Sequence, residues 1–529
     1  MVFLPMAKKT LIFVFLEICF VFLWLFFIGQ FTGFTALSGD VNLLDEGQYA
    51  AWVNHMLHGQ KIYKDFFLPY GPVQVYLAYF FVLLFGQTMF SIRLSISIVS
   101  IFLGIVVAIY VMRKLKIHPY LQVISTAFLL VVPGLHIRHW VGVAALILLA
   151  NAIERKSNAL LILVGILLSI SVLQSIEVGI ISCFLAFVYL TIKLYQSVGK
   201  KIIIQKILLV GVSFLIPILV WLLFSGIQGW LFDYTKTTYE AVFANAGVNL
   251  ANGQGLPVIF NDSSKHPVTI VRELFSKEAL FYWSLILLLI FASSLIIRFL
   301  SGNVRKEDSS VILLIGFGVM TYASIIGRSG HYFLVVPFVV ISFSYLLTIL
   351  FGMYSKSSMN QRILIILIFA SFILYLSRHI LIFRFSPLFN FNQKSFYDIS
   401  VERVSPIGIS KNQASEIRLL QDFIDKNTRE FDSIFVINNQ PGLYFLVDRA
   451  NATYFDLPFL AYSRSKRLEL VASIKNKKPI YIIEDTKAWS IDNVSDRQRL
   501  PEFFAYLGKN YEKYKVIKRY IIYRLKSAK

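Results

Sequence analysis

From residue 10 to residue 384, long apolar runs alternate with short polar links, and after Pro387 the alternation stops. An α-helix needs about 17 to 25 mostly apolar residues to cross a hydrocarbon core of about 30 Å. On that rule the pattern predicts about eleven membrane spans, over residues 10–32, 92–112, 119–135, 140–153, 158–173, 177–195, 204–228, 279–298, 309–326, 333–354 and 362–384. The stretch 72–88 is apolar but short for a crossing, and it reads as an interfacial or re-entrant helix in a first loop over 33–91.

Beyond residue 385 the periodicity becomes that of a soluble domain. Helices are expected over 415–427, 464–476 and 501–511, and strands over 433–438, 479–484 and 518–525. The fold class is therefore a polytopic α-helical membrane protein with interfacial helices in its first external loop and a small C-terminal extracytoplasmic α/β domain. The expected domains are 1–384, transmembrane, and 385–529. No phosphate-cradling glycine loop follows a tail strand, since Asn439-Gln-Pro-Gly442 is too sparse.

Composition agrees with this class: 57% of the 529 residues are hydrophobic and the mean hydropathy is +0.67, more apolar surface than a soluble core can hide. The net charge of +21 lies between apolar runs rather than in one stripe, which argues for retention of basic loops in the cytoplasm and against nucleic-acid binding. Charge also orients the chain. If 72–88 does not cross, Lys8-Lys9, Arg113-Lys114-Leu-Lys116, Glu154-Arg155-Lys156, Lys200-Lys201, Arg305-Lys306, Lys356 and Arg362 all share the cytoplasmic side. The expectation is a multi-pass plasma membrane protein of bacterial inner-membrane type, with its N-terminus inside, its first apolar helix retained and its tail outside. The two cysteines, Cys19 and Cys183, both fall in apolar runs and offer neither a disulfide framework nor a thiolate metal site.

That orientation gathers polar clusters on the outer face. Asp45-Glu46 opens an amphipathic helix at the membrane surface, where a carboxylate can take the proton of a hydroxyl nucleophile attacking a lipid-borne electrophile. Neighbours on a helix do not share a face, so one of the two would face substrate and the other structure. Asp65 would assist or cap a turn. Arg138 and His139, and Arg328 and His331 beside Tyr332, sit at hairpin tips where fixed cations suit a phosphate. Glu177, after Gln174 and Ser175, begins another apolar run near that face. Each has a structural alternative: dipole contact for Asp45, headgroup contact for the cations, an interhelical hydrogen bond for Glu177. The histidines form no recognisable metal box; no cofactor is required, and a divalent cation at Asp45 or Glu46 stays open.

The segments Asp45-Glu46-Gly-Gln-Tyr49-Ala, Gly59-x-x-x-Tyr63-x-Asp65-Phe, Pro69-x-Gly-Pro72, Phe85-Gly86 and Arg93 resemble the start of membrane glycosyltransferases of the GT-C class. The group they resemble is the dolichyl-phosphate-mannose protein mannosyltransferase-like family, which includes bacterial aminoarabinose lipid A transferases. The segment Gly327-Arg328-x-x-His331-Tyr332-Phe-Leu-x-x-Pro337 is similar to a late external loop of its bacterial members. The resemblance covers residues 10–384 in layout. It implies transfer of a sugar from a polyprenyl-phosphate donor to a hydroxyl on a glycolipid, polysaccharide or protein acceptor at the extracytoplasmic face, with inversion. Asp45 matches the family's base candidate, with Glu46 its neighbour. Many members carry an aspartate in the second external loop, where this chain has His136, Arg138 and His139; a second carboxylate would have to come from Glu177 or Asp65. Two other classes compete: a transporter or flippase of a lipid-linked saccharide, and a non-catalytic assembly protein for an envelope polymer. A transporter would be expected to show repeats with broken helices, and none is legible here.

Overall fold

In the computed structural model of the protein, the described residues are 17, 19, 21, 37–130, 137–196, 200–240, 256–259, 267–301, 305–326, 329–354, 358–383, 397–488 and 494–526. The expected first span, 10–32, lies outside them apart from three helical residues, as do His136 and Arg328. In chain order the helices are α1 (Asp45–Leu57), α2 (Pro72–Phe85), α3 (Met89–Lys114, with a π-helical segment at Leu94–Val99), α4 (Pro119–Leu129), α5 (Ile137–Arg155), α6 (Asn158–Gln174) and α7 (Ile176–Gln196). They continue as α8 (Lys200–Ile227), α9 (Leu231–Tyr239), α10 (Pro267–Leu274), α11 (Lys277–Leu300), α12 (Asp308–Ser324), a 3-10 turn at Ser329–Leu334, α13 (Val336–Tyr354) and α14 (Met359–Phe383). The tail runs β1 (Tyr397–Asp398), β2 (Ile409–Ser410), α15 (Lys411–Asn427), β3 (Ser433–Val436), α16 (Gly442–Leu446), β4 (Ala450–Asn451), α17 (Arg464–Lys477), β5 (Tyr481–Asp485), α18 (Asp496–Arg499), α19 (Pro501–Asn510), β6 (Tyr511–Ile517) and β7 (Tyr520–Leu525).

The membrane class holds. Among the described residues seven helices are long and apolar enough to cross a bilayer, while Pro72–Phe85, Asn158–Gln174 and Asp308–Ser324 are apolar but shorter. At 1.5 Å per residue α2 rises only about 21 Å, less than the core thickness of about 30 Å. The chain forms two compact units: residues 1–33, 100–221 and 252–391 in one, and 34–99, 222–251 and 392–529 in the other. The first loop, which the pattern alone groups with the spans, thus keeps company with the tail.

In the first unit small residues let helices approach. A Cβ on Gly142 of α5 would lie 2.0 Å from Ser182 Oγ of α7 and 3.1 Å from Ser171 Oγ of α6, the close backbone approach by which membrane helices associate. Trp140 stacks on Phe338 of α13 at 5.4 Å, and Ser125 of α4 hydrogen-bonds Ser344 of α13 at 2.7 Å. Charged side chains pair near other helix ends of this unit. Lys116 Nζ lies 2.6 Å from Glu307, Arg298 lies 3.1 Å from Asp308, and the Tyr345 hydroxyl donates to Asp308 at 2.7 Å.

In the second unit the sheet order is β4-β3-β5-β7-β6. β4, β3 and β5 are parallel, and β7 is antiparallel to both β5 and β6. The sequence pattern misses β6 because its interior, Glu512 to Val516, is exposed and carries charge instead of apolar alternation. Within the same unit α1 is bound to the sheet domain by a buried pair: His55 Nε2 lies 2.7 Å from Asp456 Oδ1, and Asn451 Nδ2 donates to that oxygen at 2.9 Å. Phe66 stacks on the imidazole at 4.5 Å. Burial lowers the His55 pKa, but the Asp456 charge and the hydrogen bonds that the ring donates to Asp456 and Gln60 outweigh it, so the net shift is upward.

Two outcomes follow from this packing. Gly142→Val forces apart α5 and α7, and overpacking of this kind costs about 1–3 kcal/mol, to be read as a lowered unfolding midpoint in detergent. The raised His55 pKa means that its contribution is complete below the unfolded value of about 6.5 and is lost as pH rises through the folded value. Thermal stability will therefore decline on that alkaline side, and the decline will vanish in Asp456→Asn.

Candidate active site

The loop before α1 is built by Asn42. Its Oδ1 accepts the backbone N–H of Leu44 at 3.0 Å and of Asp45 at 2.9 Å, satisfying donors that a helix start otherwise leaves open. Its Nδ2 donates to Asp45 Oδ2 at 2.8 Å, and its backbone N–H donates to Glu46 Oε2 at 3.1 Å. Asp45 and Glu46 then occupy the first turn of α1, where the helix dipole favours negative charge.

Their environments differ. Glu46 is 4% exposed and Arg93 0%, and the guanidinium takes both carboxylate oxygens, Nε to Oε1 at 2.7 Å and Nη2 to Oε2 at 2.9 Å. This two-pronged geometry is the strong form of the interaction. Arg93 also donates to the carbonyls of Ser38 and Gly39 at 3.3 Å and of Asp40 at 3.2 Å. Glu46 is thereby committed to structure, and Asp45 is the exposed member of the pair. Protein packed around the Asp45 carboxyl raises its pKa; the Asn42 hydrogen bond opposes this and the Glu46 charge adds to it. A carboxylate so tuned accepts protons more readily than an ordinary aspartate.

Asp65 lies in the same unit, exposed, and fastens a turn: its Oδ2 accepts Lys61 N–H at 2.7 Å and its own N–H donates to Lys61 O at 2.9 Å.

The remaining candidates belong to the first unit. Arg138, half-buried, and His139, buried, sit in the first turn of α5; Glu177, exposed, begins α7; His331, exposed, and Tyr332, buried, lie in the 3-10 turn before α13. The Trp140–Phe338 stack and the Gly142 contacts with Ser171 and Ser182 hold the starts of α5, α7 and α13 and the end of α6 together. The first unit therefore collects Arg138, His139, Gln174, Glu177, His331 and Tyr332 at one end of its bundle. Among the described residues no three His, Cys, Asp or Glu side chains are grouped to hold a metal ion.

Sequence reasoning passed over Asn42 and the role of Arg93. The signal for Arg93 was available, because a guanidinium at the head of an apolar helix needs a partner. For Asn42 the signal is the Asn-x-x-Asp spacing of a capping turn.

No family model and no curated protein matches the chain. Solved structures do. It is similar to the oligosaccharyltransferase AglB of Archaeoglobus fulgidus, solved with an inhibitory peptide and a dolichol-phosphate, at 14% identity and a TM-score of 0.54 over 99% of this chain and 75% of that one. It is similar to ArnT of Cupriavidus metallidurans, solved with undecaprenyl phosphate, at 13% identity and a TM-score of 0.53 over 99% of both chains. Both are GT-C glycosyltransferases. At these identities the likeness is one of fold, and the fold of this membrane protein is that of the GT-C glycosyltransferases.

Proposed function

We propose that this protein transfers a sugar from a polyprenyl-phosphate donor to a hydroxyl acceptor on the extracytoplasmic face, with inversion at the anomeric carbon. The observation that carries the reading is the division of labour in the first turn of α1: Glu46 is locked by Arg93 while Asp45 stands exposed with a raised pKa, on a fold shared with enzymes solved with lipid phosphates.

In this reaction the Asp45 carboxylate takes the acceptor hydroxyl proton as that oxygen attacks the anomeric carbon from the face opposite the phosphate. The bond from that carbon to the phosphate oxygen breaks, and its electron pair leaves on polyprenyl phosphate. Arg138, His139, Arg328 and His331 are assigned to the phosphate, where guanidinium groups and imidazole N–H donors offset the charge that develops. Glu177 and Tyr332 support that end. Asp65 supports through its turn, holding the loop that follows α1. The acceptor is a glycolipid, polysaccharide or protein of the cell envelope, and the basic ends of the bundle face the cytoplasm.

Asp45→Asn should keep polyprenyl-phosphate binding and lose about 10²–10⁴ in kcat, measured by transfer from a radiolabelled polyprenyl-phosphate sugar; undiminished turnover would remove Asp45 as the base. Because the base must be ionised, wild-type kcat should fall on acidification through a pKa above the ordinary aspartate value. For topology, Lys426→Cys in a background lacking Cys19 and Cys183 should react with an impermeant maleimide in intact spheroplasts, and Lys116→Cys only after permeabilisation.

A further inference from the structure

Asp45 is held from a distance of almost 400 residues along the chain. Segment 37–47 is laid against the tail domain by backbone and side-chain bonds that leave it little freedom. Gly408 N–H donates to Leu37 O at 2.8 Å, and Gly39 N–H donates to Gly408 O at 2.9 Å. Asp40 Oδ1 accepts Ser410 N–H at 2.7 Å, and its Oδ2 accepts the Ser410 hydroxyl at 3.0 Å, at the N-terminus of α15. Gln413 of α15 then mimics a strand partner: its Oε1 accepts Val41 N–H at 2.8 Å and its Nε2 donates to Val41 O at 3.0 Å. Gly442 N–H donates to Leu43 O at 3.1 Å.

The last contact is backbone on backbone. A Cβ on Gly47 would lie 2.5 Å from Gly442 N and 2.7 Å from its Cα, and one on Gly442 would lie 2.9 Å from Gly47 Cα and 3.2 Å from Leu43 Cδ2. Real Cβ atoms do not approach backbone this closely, so only glycine fits at either position without displacing α1. Gly47 is two residues from Asp45. Any displacement here is passed to the first turn of α1, whose other side is fixed by Arg93.

We propose that Gly442 and Gln413, residues of the tail domain, are positioning residues for Asp45, so that the tail is part of the catalytic apparatus rather than an appended module. This rests on the reading of Asp45 as the base. The chemistry is that of orientation: displacing a reacting group by about 1 Å can cost about 10²-fold in rate, whereas donor binding through the lipid phosphate does not depend on the placement of Asp45.

The test uses the full-length protein in detergent, a radiolabelled polyprenyl-phosphate sugar, and the folded fraction measured in the same samples. Gly442→Ala should lower kcat about 10- to 100-fold with donor KM unchanged. Gln413→Met, which removes both bonds at similar volume and introduces no clash, decides the matter should Gly442→Ala not fold. Gln413→Glu, which keeps the acceptor for Val41 N–H and loses the donor to Val41 O, should lie between Gln413→Met and wild type. Wild-type kcat per folded molecule in Gly442→Ala and Gln413→Met, in a protein that Asp45→Asn inactivates, would overturn the proposal and leave the base assignment standing. Activity in Asp45→Asn would overturn the base assignment instead, whatever the other variants do.

Discussion

The buried pair between Arg93 and Glu46 is the constraint from which the second unit is organised. A guanidinium at the head of a long apolar helix has no water to hydrate it, and removing it from water costs several kcal/mol unless its donors are met. Here they are met by both oxygens of one carboxylate and by the carbonyls of Ser38, Gly39 and Asp40. One residue thus closes the loop before α1 onto the start of α3. The same pairing engages both carboxylate oxygens of Glu46, while Asp45 beside it stays exposed.

The rest of the loop answers to a different partner. The tail contributes Ser410, Gln413 and Gly442 along one continuous stretch of chain from Asp40 to Gly47, while α1 sends His55 to Asp456 further on. The first turn of α1, which carries Asp45, is thus supported from two independent structures, Arg93 at the start of α3 and the tail domain. The cationic residues of the first unit are placed by other means, the close packing of small and aromatic residues among α5, α6, α7 and α13.

The many-helix membrane class and most of the tail were legible from periodicity, whereas seven of the described helices, against the eleven spans expected, are long and apolar enough to cross a bilayer. The expected helix 464–476 is α17 (Arg464–Lys477), and the expected strand 479–484 is β5 (Tyr481–Asp485). Where the reading failed, the pattern carried no signal. β6 is an exposed edge whose charges hide its pairing with β7, and β4 is two residues long. The site was legible by type more than by role: Asp45 and Glu46 stand out as an acidic pair, yet nothing in their spacing says which of the two Arg93 takes.

Hydropathy and charge in the chain alone determined that this is a many-helix membrane protein with a small α/β tail, because burial of apolar surface and the length of a crossing leave few alternatives. Tertiary structure decided the partners. Asn439-Gln-Pro-Gly442 looks unremarkable after β3, and it becomes the seat of α1 only because a segment some 400 residues earlier brings a second glycine against it. Contacts between backbones leave no trace in side-chain pattern, and they are where the placement of Asp45 is settled.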